Sequence, residues 1–155
     1  MNSQQQLQQA QQLAAMGRRA EAEMIFRNIV QLDPGFHPAW HAFGLFAFEA
    51  GNLDLATQCI EAAISGDGKQ AIYHRNIGEM YRRMGKLDKA ANAGRRAVKL
   101  APRDFDAHYN LGLAYTDAED YEKAIRCYRQ ALAINPVHGL SWNNLGSALE
   151  KQDNK

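Results

Sequence analysis

The chain has 155 residues, 46% hydrophobic and 23% charged, with a formal net charge of +1. That length suits a domain with a real core, and so even a charge balance gives no field to draw in nucleic acid or a membrane surface. No apolar run approaches the ~20 residues that cross a bilayer, and the two cysteines, Cys59 and Cys127, form neither a CxxC pair nor a disulfide framework.

The first residues, MNSQQQLQQAQQ, have neither the basic start nor the apolar core of a secretory signal, so the expected setting is reducing and cytoplasmic. Their glutamines leave a narrow stripe of Leu7, Ala10, Leu13 and Ala14, which predicts a terminal helix with one face packed; a disordered Gln-rich tail is the alternative. Ser3 and Gln6 have capping-box spacing. Farther on, four stretches share one shape: WHAFGLFA, HRNIGEMY, HYNLGLAY and WNNLGSAL. Gly44, Gly78, Gly112 and Gly146 recur every 34 residues, as do Ala22, Ala56, Ala90 and Ala124. Pro34, Pro102 and Pro136 follow the same interval, with Gly68 at the gap. Small residues at fixed spacing let neighbouring helices approach closely, and the prolines end the second helix of each unit.

This pattern of Trp, Leu-Gly, Tyr, then Ala, an aromatic and Pro resembles the tetratricopeptide repeat (TPR), over nearly the whole chain. The resemblance implies an all-α fold, a right-handed α-α superhelix or solenoid of tandem antiparallel helix pairs. Repeats are placed at 3–36, 37–70, 71–104 and 105–138, with 139–155 as a terminal or capping half repeat. That last helix offers Asn143, Ser147, Glu150 and Lys151 as a polar face; a cut from a longer array is the equal alternative. An uncapped end would leave Leu145 and Leu149 as an apolar edge for end-to-end pairing into a homo-oligomer or self-assembling scaffold.

Two places depart from the pattern. The junction SGDGKQ, 65–70, lacks the usual proline ending and is expected to loosen or re-angle the stacking; it is not a phosphate-binding loop. Gly94 stands where Phe26 and Tyr128 place an aromatic, so either a larger neighbour such as Met80 fills the space or the repeat is locally weak.

No nucleophile–base constellation is readable, and His37 with His41 lacks the further ligands a metal needs, so neither an enzyme nor a cofactor is expected. His74 and His108 occupy the slot of Trp40 and Trp142 and read as packing residues. The two cysteines read as small packing residues on second helices.

The remaining signals point to binding. In the family the first helix of each unit lines a concave groove. Its sixth position here is Ala42, Asn76, Asn110 and Asn144, so three consecutive units carry an amide. An amide both donates and accepts, as a peptide backbone does. The series resembles the asparagine ladder of O-linked N-acetylglucosamine transferases, although the same amides could instead bridge neighbouring helices. A targeting region severed from such a glycosyltransferase is therefore an alternative.

The third unit carries nine basic residues against three acids, a net of +6, between flanks of −3 and −2. By family register Arg75, Arg82 and Arg83 face the groove and would draw an acidic partner residue. Pairs such as Arg75–Glu79 and Glu79–Arg83 at i,i+4 spacing are the other reading. His41, Leu45 and Phe48 in the second unit, and Tyr109 and Leu113 in the fourth, add apolar or aromatic groove contacts. The clamp for a terminal carboxylate is absent: its stations, read as His41, Leu45, Asn76, Asp106 and Asn110, or as Leu7, Gln11, Ala42, Ile72 and Asn76, hold no cation. The expectation is a protein or peptide partner, with no nucleic acid and no membrane.

Overall fold

The computed structural model describes residues 1–155. It contains nine α-helices and no strand: α1 (Ser3–Ala15), α2 (Arg19–Leu32), α3 (His37–Glu49), α4 (Leu53–Gly66), α5 (Ala71–Arg83), α6 (Leu87–Leu100), α7 (Phe105–Asp117), α8 (Tyr121–Ile134) and α9 (Gly139–Asp153). Odd-numbered helices are called A and even-numbered ones B. The chain divides into two compact units, Met1–Lys69 and Gln70–Lys155, with the boundary inside the SGDGKQ stretch.

In the first unit, α1 packs on α2 and α3 on α4. The glutamines of α1 do not prevent a helix, because Leu7 and Ala10 supply the buried stripe. Its cap is not Ser3: the Asn2 side chain accepts from Gln5 N, and the Gln5 side chain accepts from Asn2 N. Ser3 Oγ instead donates to Asp33 Oδ2 at 2.7 Å, tying the start of α1 to the end of α2. The core centres on Phe26, stacked on Phe43 with ring centroids 5.5 Å apart and tilted against Phe46 at 5.2 Å. Burying each such ring contributes about 2–3 kcal/mol.

In the second unit, α5 pairs with α6 and α7 with α8, while α9 packs on α8. Leu111, Tyr115, Tyr121 and Tyr128 lead its core. The A–B turns need a left-handed residue. Gly17, Gly51 and Gly85 provide it at φ 78°, 79° and 74°, and Glu119 holds the fourth such turn at φ 59°. Only glycine reaches that region without a steric cost, so Glu119 is the strained member of the series.

The slot shared by Trp40, His108 and Trp142 does more than pack. Trp40 Nε1 donates to the Pro34 carbonyl at 2.9 Å, His108 Nε2 to that of Pro102 at 2.8 Å, and Trp142 Nε1 to that of Pro136 at 2.8 Å. The slot therefore selects a ring N–H that can satisfy the carbonyl of the preceding turn. Cys59 and Cys127 are buried packing residues, and burial pushes their thiols up to about 12 and about 11.

Candidate functional site

The repeated glycines set how closely each helix pair approaches. A Cβ on Gly44 would lie 2.6 Å from Ile60 Cδ1, and one on Gly112 would lie 2.6 Å from Tyr128 Cε1. On Gly78 the nearest atoms would be at 3.5 Å, because Gly94 takes the place of the large B-helix side chain. Leu111, reaching from α7, fills that space: its Cδ1 would be 2.7 Å from a Cβ on Gly94. The expected filler, Met80, is buried, but it is Leu111 that seats against Gly94. A cavity of about 10 Å³ remains there, lined by Gly78, Gly94, Asn110 and Leu111 among others.

The candidate amides lie on three A helices of the second unit, Asn76 on α5, Asn110 on α7 and Asn144 on α9, and all three are half-buried. Their chemistry differs. Asn144 Nδ2 donates to the Tyr109 hydroxyl at 3.3 Å, so this amide bridges neighbouring A helices. Asn110's amide makes no hydrogen bond inside the chain. Tyr109 belongs to an aromatic group, stacked on Phe105 at 5.8 Å and edge-on to His138 at 5.1 Å. Leu113 is half-buried one turn beyond it. Thr116 bonds Tyr128, its Oγ1 lying 2.7 Å from the phenol oxygen; burial pushes that phenol up to about 12.

The arginines are not free cations. Arg75 Nη1 lies 2.8 Å from Asp104 and 3.7 Å from Asp106. Arg82 pairs with Glu79 at 2.8 Å and with Asp117 at 2.9 Å, while Arg83 pairs with Glu79 at 3.0 Å. Four carboxylates thus face three guanidiniums. The Arg75–Glu79 pair expected from i,i+4 spacing gives way to Arg75–Asp104, because Asp104 caps the next A helix and lies within reach. Burial pushes the Glu79 carboxyl up, but hydrogen bonds and charge from Arg82 and Arg83 outweigh it and hold its pKa below the ordinary value. Arg82 is held above its usual value, chiefly by its hydrogen bond to Glu79. The basic surplus that suggested an acidic ligand is therefore met at these three arginines by acids from α5, α7 and the turn before α7.

In the first unit a hollow of about 270 Å³ opens between α1 and α3. Gln11, Ala14, Ala42, Leu45 and Phe46 line it. Phe26 and Phe46 supply its rings, with the Arg19 guanidinium 4.5 Å from the centroid of Phe46. His41 and Phe48 are half-buried on α3. No group of three or more His, Cys, Asp or Glu side chains converges as a metal site, and no helix is long and apolar enough to cross a membrane.

A tetratricopeptide-repeat family model matches residues 105–138, and a second TPR model matches 78–117. Residues 78–138 carry tetratricopeptide repeats. No curated protein matches it. Among solved structures, a MamA protein superposes with a TM-score of 0.92 at 20% identity, covering 97% of this chain and 82% of that one. YrrB, described as a TPR protein with an unusual peptide-binding site, gives 0.86 at 17% identity, covering 97% and 77%. The first TPR of Spaghetti (RPAP3), bound to the HSP90 peptide SRMEEVD, gives 0.74 at 21% identity, covering 76% and 93%. These likenesses establish the fold: the chain belongs to the all-α helical-repeat superhelix class.

Proposed function

We propose that this chain is a non-enzymatic protein-interaction module that holds an extended peptide or partner segment along the A-helix face. The observation that carries the reading is the repeated amide at 76, 110 and 144, with the Asn110 amide uncommitted inside the chain. A half-buried amide without a partner is costly unless water or a ligand satisfies it. An extended backbone offers the matching donor and acceptor at every residue.

The roles along the face are unequal. Asn110 is the principal backbone contact. Asn76 is the second rung. Asn144 must give up or share its bond to Tyr109 before it can engage. Tyr109 and Leu113 supply apolar contact beside them. Arg75 and Arg82 tie α5 to α7 through Asp104, Asp106 and Asp117, and Arg83 pairs with Glu79 on its own helix, so an acidic ligand residue is not required. YrrB and the Spaghetti repeat, whose structures are described by a peptide-binding site and a bound peptide, make a peptide ligand the natural class.

The test is selection of peptides from a displayed random library against the 155-residue chain, followed by calorimetry with the best binder. Alanine at Asn76, Asn110 and Asn144 together should weaken binding at least ~10-fold, about 1.4 kcal/mol, with Asn110→Ala carrying most of it. Unchanged affinity in the triple variant would remove the amide claim.

A further inference from the structure

Arg75, Arg82 and Arg83 use up three of the third unit's basic residues in ion pairs. The other six lie on α6 or in the turns at its two ends: Lys86, Lys89, Arg95, Arg96, Lys99 and Arg103. All six are exposed, and none of them pairs with a carboxylate. Arg95 donates only to neutral groups, the Tyr115 hydroxyl at 3.1 Å and the Asn92 amide oxygen. Lys89 lies over the Tyr81 ring, 5.5 Å from its centroid. The one acid of α6, Asp88, stands in its first turn. With about 3.6 residues per turn, Lys89, Arg95, Arg96 and Lys99 share the side of α6 opposite the buried Ala90, Gly94 and Ala97. The repeat plan does not call for this stripe. At the stations of Lys89, Arg95, Arg96, Lys99 and Arg103, the first unit's B helices and their following turns hold only Arg27 and Lys69, and α8 holds Lys123 and Arg129. Arg27 and Lys123 are paired, with Glu23 and Asp120. Nor does the stripe help α6 to form. Lys89 in the first turn opposes the helix dipole, and Arg95 and Arg96 both repel Lys99 at helical spacing; only Lys99, in the last turn, has the dipole in its favour.

We infer that the outward side of α6 binds a short acidic segment of a partner protein. Charge complementarity selects the occupant. Arg95 and Arg96 offer planar forks that match carboxylates, and Lys89 and Lys99 offer point charges on either side of them. From Lys89 to Lys99 the stripe runs about 15 Å, the reach of about five extended residues. A segment rich in aspartate and glutamate therefore meets every cation, with Arg103 beyond the helix end to receive one more. Longer polyanions fit less well. No aromatic side chain stands on α6 for a nucleic-acid base to stack on. Every exposed residue of α6 is polar, so nothing on the stripe inserts into a bilayer. The formal net charge of +1 gives no wide field to hold a nucleic acid or a membrane beyond the stripe itself. The stripe is on a B helix and the amides are on A helices, so the two readings stand or fall independently.

The probe is a fluorescein-labelled peptide, GSDEDEDEGS, titrated with the 155-residue chain and read by fluorescence anisotropy at about 50 mM salt, where screening is modest. The expected result is saturable binding. Arg96→Gln with Lys99→Gln should weaken it about tenfold or more. Arg18→Gln with Arg27→Gln, the same change of charge in the first unit, should leave it within about twofold. The α6 variant removes like charges, so its urea midpoint should stay level or rise, which separates lost binding from lost folding. Alanine at Asn76, Asn110 and Asn144 together should also leave this binding within about twofold, since the amides belong to the other face. Four results would overturn the inference. One is no binding by the wild-type chain. Another is an equal loss in the first-unit variant, which would make net charge the whole cause. A third is an equal loss in the asparagine variant, which would place the acidic peptide on the A-helix face. The last is α6-dependent binding of a DNA duplex or of phosphatidylserine vesicles tighter than that of the peptide, which would make a polyanion or a membrane the occupant.

Discussion

The pairs α5/α6 and α7/α8 follow one 34-residue plan and solve the same packing problem differently. In α7/α8 a tyrosine fills the space over a glycine, and its hydroxyl is satisfied by Thr116. In α5/α6 the corresponding residue is Gly94, and the filling comes from Leu111 on the following A helix. The α7/α8 pair is closed by its own residues; the α5/α6 pair is closed by its neighbour. The same division appears in charge. Glu79 on α5 gathers Arg82 and Arg83, whereas the equivalent station on α7 is Leu113. A repeat can therefore lose its signature residue when the next repeat supplies the volume, which makes the interface between units, rather than the single unit, the thing that folds.

The largest expected effect is that of Leu111→Ala, which empties the seat against Gly94 and should cost about 2–5 kcal/mol in urea unfolding. If the neighbour-filled account holds, adding Gly94→Val should recover part of that loss, a coupling that a double-mutant cycle reads directly. Additive losses would break it. Next comes Gly112→Ala, which forces a Cβ into a Tyr128 ring that is fully buried and should cost about 1–3 kcal/mol. Gly78→Ala, the same change in the neighbouring pair, meets atoms only at 3.5 Å and should stabilise by up to about 1 kcal/mol from helix propensity. Equal effects at Gly78 and Gly112 would contradict the comparison. Glu119→Gly should gain about 1 kcal/mol by relieving the left-handed backbone at φ 59°.

The smallest effect is electrostatic. The folded pKa of Glu79 lies below its ordinary value of 4.5, so its contribution is fully present above that pH. It is lost as pH falls through the lowered folded value. Urea midpoints measured from pH 6 downward should therefore drop more steeply below pH 4.5 in the wild type than in Glu79→Gln.

The fold was legible because its marks are periodic: glycines, alanines and prolines at a 34-residue interval leave little choice but stacked helix pairs. Even the glutamine-rich start could be read, since Leu7 and Ala10 carry the helical stripe. What sequence could not show is which partner each polar side chain selects. Arg75 read either as a groove cation or as the partner of Glu79, because Asp104, its actual partner, entered only the charge sum of the third unit. Arg82 looked free because Asp117 lies 35 residues away on the next A helix. Asn144 looked like its two fellow amides, and only the position of the Tyr109 hydroxyl separates it from Asn110. The ring N–H bonds to the proline carbonyls had a readable signal, since Trp and His share a donor and little else at that slot. Leu111 filling the space at Gly94 had none, because volume complementarity across units is invisible in a one-dimensional register.

The most direct test of the central claim is side-chain amide NMR on the ¹⁵N-labelled chain during titration with a selected peptide. The NH₂ resonances of Asn110 should shift most, those of Asn76 next, and Asn144 should respond together with Tyr109 as their bond is exchanged. Saturable binding that leaves all three asparagine amides unmoved, and instead shifts residues of the B helices, would contradict it.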